Sequence, residues 1–371
     1  MTVSIAVPTL IIDTPAALES AIAVWKTRDW LAVDTEFVRE DTYHARLCLV
    51  QIGDGETAAC IDTLAVDLAP LWPLLADERI VKVLHSASQD YEIFAELSGD
   101  CPRPLFDTQV AATILGIGDQ IGYAGLVKAM LNIEVDKSLS RTNWAKRPIP
   151  QPAIEYAADD VRHLAVIYPE LLRRLDSTGR TEWLEADCAA LTDPAMYRTE
   201  PEDAWKRLRG LARLAPVAQH RAAALAAWRE RRAVERNRPR RWMLSDDALY
   251  ALAVRAPDSL DDLAAISDLP ASTRERHGAV LLEVLAGAAR SDQPLVADER
   301  PDAAYKSALQ SLQAVVRERA QALAVPPSLL ARRSDLEALL HAGESADIAP
   351  LRGWRRELIG GALLQALPAP H

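Results

Sequence analysis

Cysteine is scarce in this chain of 371 residues, and the four cysteines that are present do not cluster. Cys48, Cys60, Cys101 and Cys188 form no C-x-x-C pair, so the spacing typical of a zinc site is missing. The same dispersal offers no disulfide framework of the kind that small secreted domains use. The sequence therefore favours a reducing compartment, and we expect a cytoplasmic protein.

Long apolar runs and phosphate-binding glycine loops are also missing. No uninterrupted apolar stretch approaches the roughly 18 residues that a membrane span needs, and the N-terminal segment MTVSIAVPTL carries no basic leader. The sequence has no G-x-x-x-x-G-K-[ST] loop, and LGIGDQIGYAG does not match the dinucleotide fingerprint. We therefore expect a soluble protein that uses no nucleotide cofactor and is not an ATP-driven motor.

Charge is distributed unevenly along the chain, whose formal net charge is −11. Residues 1–200 carry a net charge of −14, whereas residues 201–371 carry +3. The positive charge is concentrated in residues 201–241, which hold 12 basic and four acidic residues. A basic stripe in an otherwise acidic protein is typical of phosphate contact, although a solvated amphipathic helix would produce the same pattern.

Carboxylates recur at spacings that bring them together. Asp34 and Glu36 lie in LAVDTEF, which predicts a strand, and residues i and i+2 of a strand share a face. Tyr156 and Asp160 are four residues apart in a segment with helical spacing, so they share one helix face. Asp90 falls in the first turns of another predicted helix. Magnesium and manganese require several hard oxygen ligands from different elements, so this set predicts a two-metal nuclease site.

Each of these residues also has a purely structural alternative. Asp34 and Glu36 would be ordinary charges on an edge strand, but two acids inside an apolar and central strand are costly unless a cation compensates them. Asp90 by itself is typical of a solvated helix residue. Tyr156 by itself is typical of a packed core aromatic. The combination of the residues in this order is what favours the nuclease interpretation.

Four other polar residues favour structural roles. His85 directly follows an apolar strand, so we expect it to be structural rather than catalytic. Ser86 or Ser88 is available to cap the helix that carries Asp90. Asp107, in LFDTQVAATIL, is expected to cap or begin a further helix.

Five segments occur in a fixed order over roughly residues 10–190, namely DTEFVRE, HSASQDYEIF, FDTQVAA, VDKSLSRTNW and EYAADDVRHL. Together they resemble the exonuclease motifs of the ribonuclease D family, in the tyrosine subclass of the DEDD superfamily of 3′-to-5′ exonucleases. The resemblance implies that the metal-binding acids are Asp34, Glu36, Asp90 and Asp160 and that the active-site tyrosine is Tyr156. In the histidine subclass a histidine would replace this tyrosine, whereas His163 lies three residues beyond Asp160.

The resemblance also implies hydrolysis with two divalent metal ions, Mg²⁺ or Mn²⁺, about 4 Å apart. Asp34 is expected to bridge both ions. Glu36 and Asp160 are expected to complete the shell of the ion that activates water, and Asp90 to hold the second ion through water. We expect Tyr156 to orient the attacking water, since a free phenol has a pKa of about 10 and is a poor base at neutral pH.

The order of predicted elements indicates an α/β, ribonuclease-H-like mixed-sheet exonuclease domain followed by two small all-α domains. LAVDTEF, RLCLVQIG and TAACIDT are joined by short turns and predict antiparallel neighbours, while VKVLHS arrives through a helix and predicts a parallel partner. The segment from about 205 to 290 resembles the HRDC domain, and RERAQALAVPPSLLARRSDLEALL repeats part of its pattern. We expect an exonuclease domain with its linker over 1–200, a first HRDC domain over 201–291 and a second, HRDC-like domain over 292–371. The second copy is less basic, so we expect it to pack against the enzyme more than to bind nucleic acid.

Candidate nucleic-acid contacts come from two segments. In VDKSLSRTNWAKRP, Trp144 is placed to stack on a base, or alternatively to be a buried indole that pins a charged loop. The full candidate set is Lys137, Arg141, Trp144, Lys206, Arg207, Arg231 and Arg232.

The function expected on these grounds is that of a metal-dependent 3′-to-5′ exoribonuclease, monomeric, which releases nucleoside 5′-monophosphates by two-metal-ion hydrolysis. Family resemblance points to the 3′ ends of tRNA precursors as substrate. Two alternatives stay open: an exonuclease acting on DNA, because no residue is committed to reading the 2′-hydroxyl, and a non-catalytic adaptor that binds nucleic acid.

Overall fold

The computed structural model describes residues 7–136, 138–139, 142–297 and 302–368. These residues form two compact units. The first unit takes in the chain up to Val38, residues 47–197 and the described residues from 302 onward, and the second takes in residues 39–46 and 198–297. No helix within the described ranges is both long enough and apolar enough to cross a membrane. The three domain boundaries drawn from the sequence stay a prediction.

A six-stranded mixed sheet with strand order β1-β4-β3-β2-β5-β6 is the frame of the first unit. Its strands are β1 (Thr9–Ile12), β2 (Trp30–Val38), β3 (Arg46–Gly53), β4 (Ala58–Asp62), β5 (Val81–Leu84) and β6 (Leu105–Asp107). β3 and β4 are antiparallel, while β5 is parallel to both β2 and β6, and β1 is parallel to β4. This mixed sheet confirms the α/β fold expected from the sequence.

The position of β2 in the middle of the sheet explains its sequence. Its first half is a buried apolar run, because strands inside an α/β sheet are covered on both faces. Its register with β5 runs from Trp30 opposite Val81 to Ala32 opposite Val83. The acidic half of β2 therefore comes next to the point where the chain leaves β5. In open α/β sheets such carboxyl ends of parallel strands are where ligands bind.

Within the described part of the chain, seven helices accompany the sheet: α1 (Pro15–Trp25), α2 (Trp72–Leu75), α3 (Ser88–Ser98), α4 (Thr108–Ile114), α5 (Tyr123–Leu131), α6 (Gln151–Thr178) and α7 (Thr181–Leu191). The longest, α6, packs against β2 and β4. A Cβ atom at Gly53 of β3 would lie 3.0 Å from the Cβ and 3.1 Å from the backbone oxygen of Val161, so α6 and β3 approach each other closely at this glycine. This close approach brings the middle of α6, including Asp160, onto the sheet.

The second unit is helical and has its own core. Its helices are α8 (Pro216–Arg236), α9 (Arg240–Met243), α10 (Asp246–Arg255), α11 (Leu260–Ala264) and α12 (Ala271–Gly287), preceded by the short 3-10 segments Pro201–Arg207 and Leu211–Arg213. The core gathers buried apolar side chains from these elements, among them Leu225, Trp228, Leu249, Leu252, Leu263 and Leu281. Ser245 caps α10 by accepting from the backbone N–H of Ala248 at 3.2 Å.

The loop between β2 and β3 belongs to this second unit. The side-chain oxygen of Asn237 accepts the backbone N–H groups of Tyr43 at 3.1 Å and His44 at 3.0 Å. The Tyr43 hydroxyl donates to Glu230 and accepts from the guanidinium of Arg240 at 2.8 Å. The segment that directly follows the acidic strand is therefore held by helix α8 and the turn after it.

The C-terminal helices return to the first unit. They are α13 (Ala303–Leu323), α14 (Pro327–Leu330), α15 (Arg333–Ala342), α16 (Gly353–Arg355) and α17 (Gly361–Gln365), with a π-helical turn at Arg356–Gly360. Arg355 makes a two-pronged ion pair with Asp187 of α7 at 2.6 and 2.7 Å. Trp354 stacks on Trp183 with ring centroids 4.5 Å apart. The expectation that this segment packs against the sheet-containing unit is confirmed.

Candidate active site

Strand β2 holds two carboxylates side by side on one face of the sheet. Asp34 and Glu36 alternate with Thr35, whose side chain is buried, so the two acids project together as the period of a strand requires. They lie past the pairing of β2 with β5, which ends at Ala32 opposite Val83. The prediction that these two residues share a face is confirmed by the structure.

Helix α6 supplies a third carboxylate. Asp160 is buried on this helix, and Tyr156 lies one turn earlier on the same face. The carboxylate oxygens of Asp34, Glu36 and Asp160 all lie within 4.8 Å of one another. Two elements far apart in sequence thus bring three acids to one point.

Burial raises the pKa values of all three acids, and the charges of neighbouring acids raise those of Asp34 and Glu36 further. Burial first, and then the charges of Asp160 and Asp90, raise the pKa of Glu36 to about 8. Burial raises the pKa of Asp160 to about 7. Burial and the charges of Asp160, Asp90 and Glu36 hold the pKa of Asp34 well above its usual value. A cluster that favours protonation this strongly when no cation is present is one that a divalent cation would stabilise.

Asp90 adds a fourth acid beside this cluster. It lies in the first turn of α3, where it accepts a hydrogen bond from the Thr35 hydroxyl, and burial raises its pKa to about 6. The charge of Asp90 raises the pKa values of both Asp34 and Glu36. Asp90 is not one of the three acids whose carboxylate oxygens lie within 4.8 Å of one another. Four acids from β2, α3 and α6 therefore surround one region, and their hard oxygen donors fit Mg²⁺ or Mn²⁺.

Tyr156 lies at the edge of the cluster with its ring beside Trp144. The two ring centroids are 6.4 Å apart, and the ring planes are inclined by 27°. Burial and the charges of Asp160, Glu36 and Asp34 raise the pKa of Tyr156 to about 12. The hydroxyl therefore stays protonated at neutral pH and is a hydrogen-bond donor, which favours positioning over proton abstraction.

A second tyrosine, Tyr123 of α5, was not anticipated from the sequence. Its hydroxyl lies 3.2 Å from the backbone carbonyl oxygens of Asp159 and Asp160 and 2.8 Å from Nδ1 of His163. It thus ties α5 to the turn of α6 that carries Asp160. No periodicity links position 123 to position 160, so only a resemblance that included this residue would have signalled it.

His85 and Asp107 have the structural roles that the sequence favoured. His85 donates or accepts at Nδ1 with the Thr108 hydroxyl at 2.9 Å and packs edge-on against Tyr123. Asp107 caps α4 by accepting from the backbone N–H groups of Gln109 and Val110 at 2.8 and 3.3 Å.

The expected capping of α3 by Ser86 or Ser88 is wrong, because neither serine side chain caps this helix. The carboxylate of Asp107 instead accepts the backbone N–H groups of Ser86 at 3.1 Å and Ala87 at 2.9 Å from the neighbouring strand end. One acid therefore serves both helix starts, and it fixes the turn that leads to Asp90.

The residues that the sequence suggested as nucleic-acid contacts lie in several different environments. Lys137 and Arg141 lie outside the described residues. Trp144 is only 2% exposed, which agrees with the alternative interpretation of a buried indole that pins its loop. In the second unit Lys206 pairs with Asp203, Arg231 with Glu202 and Arg232 with Glu235, at 2.8, 2.8 and 2.6 Å, and Arg207 donates to the Thr199 hydroxyl at 2.6 Å. Phosphate binding by these four residues stays a prediction.

The mixed sheet with its four converging acids and neighbouring tyrosine defines a 3′-to-5′ exonuclease of the DEDD superfamily. Residues 9–176 match the 3′-5′ exonuclease family, and residues 218–285 match the HRDC domain. The ribonuclease D of Pseudomonas paraeruginosa is 41% identical over 362 residues, which cover 95% of this chain and 96% of that protein. The ribonuclease D of Sphingobium indicum is 39% identical and covers 95% of this chain and 92% of that protein.

Among solved structures, Escherichia coli RNase D, described as an exoribonuclease involved in structured RNA processing, superposes with a TM-score of 0.88. It is 30% identical and the match covers 96% of this chain and 98% of that chain. The chain therefore belongs to the ribonuclease D family and is a 3′-to-5′ exoribonuclease. The family resemblance drawn from the sequence motifs is confirmed.

Proposed function

We propose that this enzyme removes nucleotides one at a time from the 3′ end of RNA, with two divalent metal ions, and releases nucleoside 5′-monophosphates. The observation that carries this proposal is the convergence of the Asp34, Glu36 and Asp160 carboxylates within 4.8 Å, with Asp90 close enough to raise the pKa values of Asp34 and Glu36. Acids at this spacing, half-buried or buried, are unfavourable unless cations neutralise them.

Asp34, Glu36 and Asp160 would hold one cation, and Asp34 and Asp90 would hold the other. When bound, the pair of cations supplies a water of lowered pKa as nucleophile and neutralises charge on the scissile phosphate and the leaving oxygen. Thr35 keeps the Asp90 carboxylate in place by donating its hydroxyl hydrogen. The Asp107 carboxylate fixes the start of α3 from below, through the N–H groups of Ser86 and Ala87.

Tyr156 contributes a protonated hydroxyl on the same helix face as Asp160. We propose that it donates a hydrogen bond to the attacking water or to a phosphate oxygen and so sets the direction of attack. Its ring is held against Trp144, so the hydroxyl is preorganised. Tyr123 holds the backbone of the Asp160 turn from the opposite side.

RNA is the proposed substrate because relatives that match nearly the whole chain are named ribonuclease D. The E. coli relative is described as acting in structured RNA processing, which favours tRNA precursors or similar folded RNAs with a free 3′ end. The first 200 residues carry a net charge of −14 and repel a phosphate backbone. The basic residues of 201–241 would supply the compensating attraction. We also propose that the enzyme works as a monomer in the cytoplasm and needs no nucleotide cofactor.

The test is a side-by-side digestion of RNA and DNA single strands of the same sequence, each labelled at the 5′ end, by the full chain. With Mg²⁺ or Mn²⁺ we expect stepwise shortening of the RNA and release of 5′-monophosphates, and no shortening in EDTA. Faster digestion of the DNA strand would make DNA the substrate. Internal cuts, or hydrolysis that persists in EDTA, would contradict the proposed mechanism.

A further inference from the structure

A loop with few buried side chains leads into α6. Within the described residues 142–150, Trp144 is the one buried side chain, and the others are half-buried or exposed. The Trp144 ring lies beside that of Tyr156, with centroids 6.4 Å apart. The position of this loop therefore decides where the indole lies, and the indole is a neighbour that holds the Tyr156 ring.

Arg147 fastens this loop through its guanidinium. Its Nε and Nη2 donate to the two carboxylate oxygens of Asp62 at 2.6 and 2.7 Å. Nη2 also donates to the backbone oxygen of Cys48 at 2.8 Å, and Nη1 donates to the backbone oxygen of Trp144 at 2.5 Å. Cys48 lies in β3, and Asp62 is the last residue of β4. One side chain thus joins the backbone of the buried tryptophan to two neighbouring strands.

The place where Arg147 is attached is well defined. Asp62 is paired with Leu49 in the antiparallel ladder of β3 and β4, and β3 is buried along nearly its whole length. Burial acts to raise the pKa of Asp62, but hydrogen bonds from Arg147 and from the backbone of Leu64 lower it below its usual value. The carboxylate is therefore ionised at neutral pH. A two-pronged pair of arginine and carboxylate fixes geometry as well as contributing energy.

We infer that Arg147 is a positioning residue, which fixes the loop so that the Trp144 ring keeps the Tyr156 hydroxyl in place for catalysis. The inference rests on the proposed function, since it concerns the tyrosine that we expect to direct the attacking water. Asp62, the carboxylate that Arg147 contacts in the described part of the chain, is not a proposed metal ligand. A role through Tyr156 therefore predicts slower hydrolysis with unchanged metal binding.

The alternative is that Arg147 only stabilises the fold, and Arg28 is the matched control for it. The Arg28 guanidinium donates to Asp54 at 3.1 Å and to Glu56 at 3.0 Å, at the turn between the same two strands. Its side chain is 25% exposed, against 26% for Arg147. Arg28→Met should therefore remove a comparable set of ionic hydrogen bonds without moving the Trp144 loop.

The first test follows the Tyr156 ring in EDTA, without any reaction. 3-Fluorotyrosine placed at position 156 of the full chain gives a fluorine resonance whose frequency depends on the nearby Trp144 ring. Arg147→Met should move this resonance toward that of free 3-fluorotyrosine, and Arg28→Met should leave it in place. Arg147→Lys keeps the charge but not the planar fork, so it should move the resonance in the same direction and serves if the Met variant does not fold. An unmoved resonance in the folded Arg147 variants would overturn the inference.

The second test compares kcat on RNA in two backgrounds. In the otherwise unmodified chain, Arg147→Met should lower kcat about tenfold with KM little changed, which is less than the roughly hundredfold that a misplacement of 1 Å can cost. In the Tyr156→Phe background no hydroxyl is left to misplace, so the same substitution should lower kcat by less than about twofold. Equal losses in the two backgrounds would show that Arg147 does not act through Tyr156.

The rise in melting temperature on adding Mn²⁺ keeps the inference apart from the proposed function. We expect the same rise for Arg147→Met as for the unmodified chain, because every acid of the site is retained. A smaller rise in the variant would place its effect on the metal site and overturn the inference. An unmodified chain that does not cleave RNA with Mg²⁺ or Mn²⁺ would instead overturn the proposed function, and the fluorine resonance would still decide whether Arg147 sets the position of the Tyr156 ring.

Discussion

At the scale of single residues, burial raises the pKa of each acid of the site, and the charges of neighbouring acids raise the pKa values of Asp34 and Glu36 further. Asp34 is the member with the most acidic neighbours, since Asp160, Asp90 and Glu36 all raise its pKa. A residue in this position has opposite effects on stability and on activity. Its charge destabilises the metal-free folded protein through repulsion, and we expect the same charge to be required for catalysis once cations are bound.

Replacing Asp34 by Asn should therefore separate the two effects. We expect kcat on RNA to fall on the order of a thousandfold, as for the loss of a preorganised charge at a reacting centre. The metal-free variant should melt at the same or a higher temperature than the unmodified chain, because a buried like-charge contact is relieved. Digestion rates and thermal melts in EDTA check both parts. A variant that melts well below the unmodified chain would show that Asp34 is structural.

Tyr156 offers a test of positioning against proton transfer. Burial and the charges of the metal-free acid cluster raise its pKa to about 12, so we expect the phenol to position the attacking water rather than to take its proton. Tyr156→Phe should lower kcat by about ten- to a hundredfold, at or below the range for a general catalyst, with KM little changed. The pH dependence of kcat should keep its shape. A pH profile that loses its basic limb in the variant would make Tyr156 the base.

Residue spacing accounts for most of the site but not for all of it. The period of two along β2 and the spacing of four along α6 are local, so they predicted that Asp34 pairs with Glu36 and that Tyr156 pairs with Asp160. Asp90 lies in the first turn of α3, whereas Asp107 lies at the end of β6. Only the fold shows that Asp107, rather than the side chain of Ser86 or Ser88, accepts backbone N–H groups at the start of α3. Tyr123 was missed for the same reason, because its partner lies 37 residues further along the chain.

At the scale of helices and strands, the sheet explains why some elements were predictable. β2, β3, β4 and β5 carry apolar runs that predict strands. β1 and β6 have four and three residues, which is too short for a period to be recognised, and they lie at the two edges of the sheet. They are strands because the sheet offers them a neighbour to pair with, not because of their own sequence.

The packing of α16 on α7 shows how the C-terminal helices are attached. Arg355 makes two hydrogen bonds to Asp187, donates to the backbone oxygen of Leu329 and lies over the ring of Trp354. Its side chain is 17% exposed and that of Asp187 is 18% exposed, so water screens the pair only weakly.

Arg355→Ala should therefore cost about 2–4 kcal/mol of unfolding free energy, because it leaves the Asp187 carboxylate partly buried without its partner. Arg356→Ala is the matched control. It removes an exposed arginine with no acidic partner among the described residues, and we expect a change within about 0.5 kcal/mol. Denaturant unfolding of both variants measures the difference. Equal and small effects would show that this ion pair does not hold the C-terminal helices.

At the scale of the whole molecule, the two units differ in charge and are linked through the chain between β2 and β3. The sheet-containing unit carries the four acids of the site, whereas the basic stretch 201–241, with 12 basic and four acidic residues, lies in the second unit. The loop between β2 and β3 is held by Asn237, so the strand with Asp34 and Glu36 runs directly into a segment of the other unit. The resemblance to the HRDC domain was visible in the sequence, but the placement of the β2–β3 loop in the second unit was not. That placement depends on hydrogen bonds between residues nearly 200 positions apart in the chain.

Metal ions should stabilise the whole chain in a pH-dependent way. The folded-state pKa values of Glu36 and Asp160, about 8 and about 7, lie above the unfolded values of about 4. The stability that these protonated groups contribute is fully present below about pH 4 and is lost as the pH rises through about 7 to 8. A cation replaces the lost protons, so its effect grows as the pH rises.

We therefore expect Mn²⁺ to raise the melting temperature more at about pH 8 than at about pH 5.5, relative to EDTA at the same pH. Thermal melts at the two pH values check this, and Asp34→Asn is the control that should lose most of the effect. A metal effect that is equal at both values, or larger at the lower one, would show that these carboxylates are not the ligands.

The most direct measurement is a crystal structure of the chain soaked in Mn²⁺, with anomalous diffraction to locate the ions. The account predicts two anomalous peaks about 4 Å apart, one within coordination distance of Asp34, Glu36 and Asp160 and the other shared by Asp34 and the side of Asp90. The same soak of Asp34→Asn should show neither peak at full occupancy. Well-ordered crystals of the unmodified chain without manganese between β2, α3 and α6 would contradict the account.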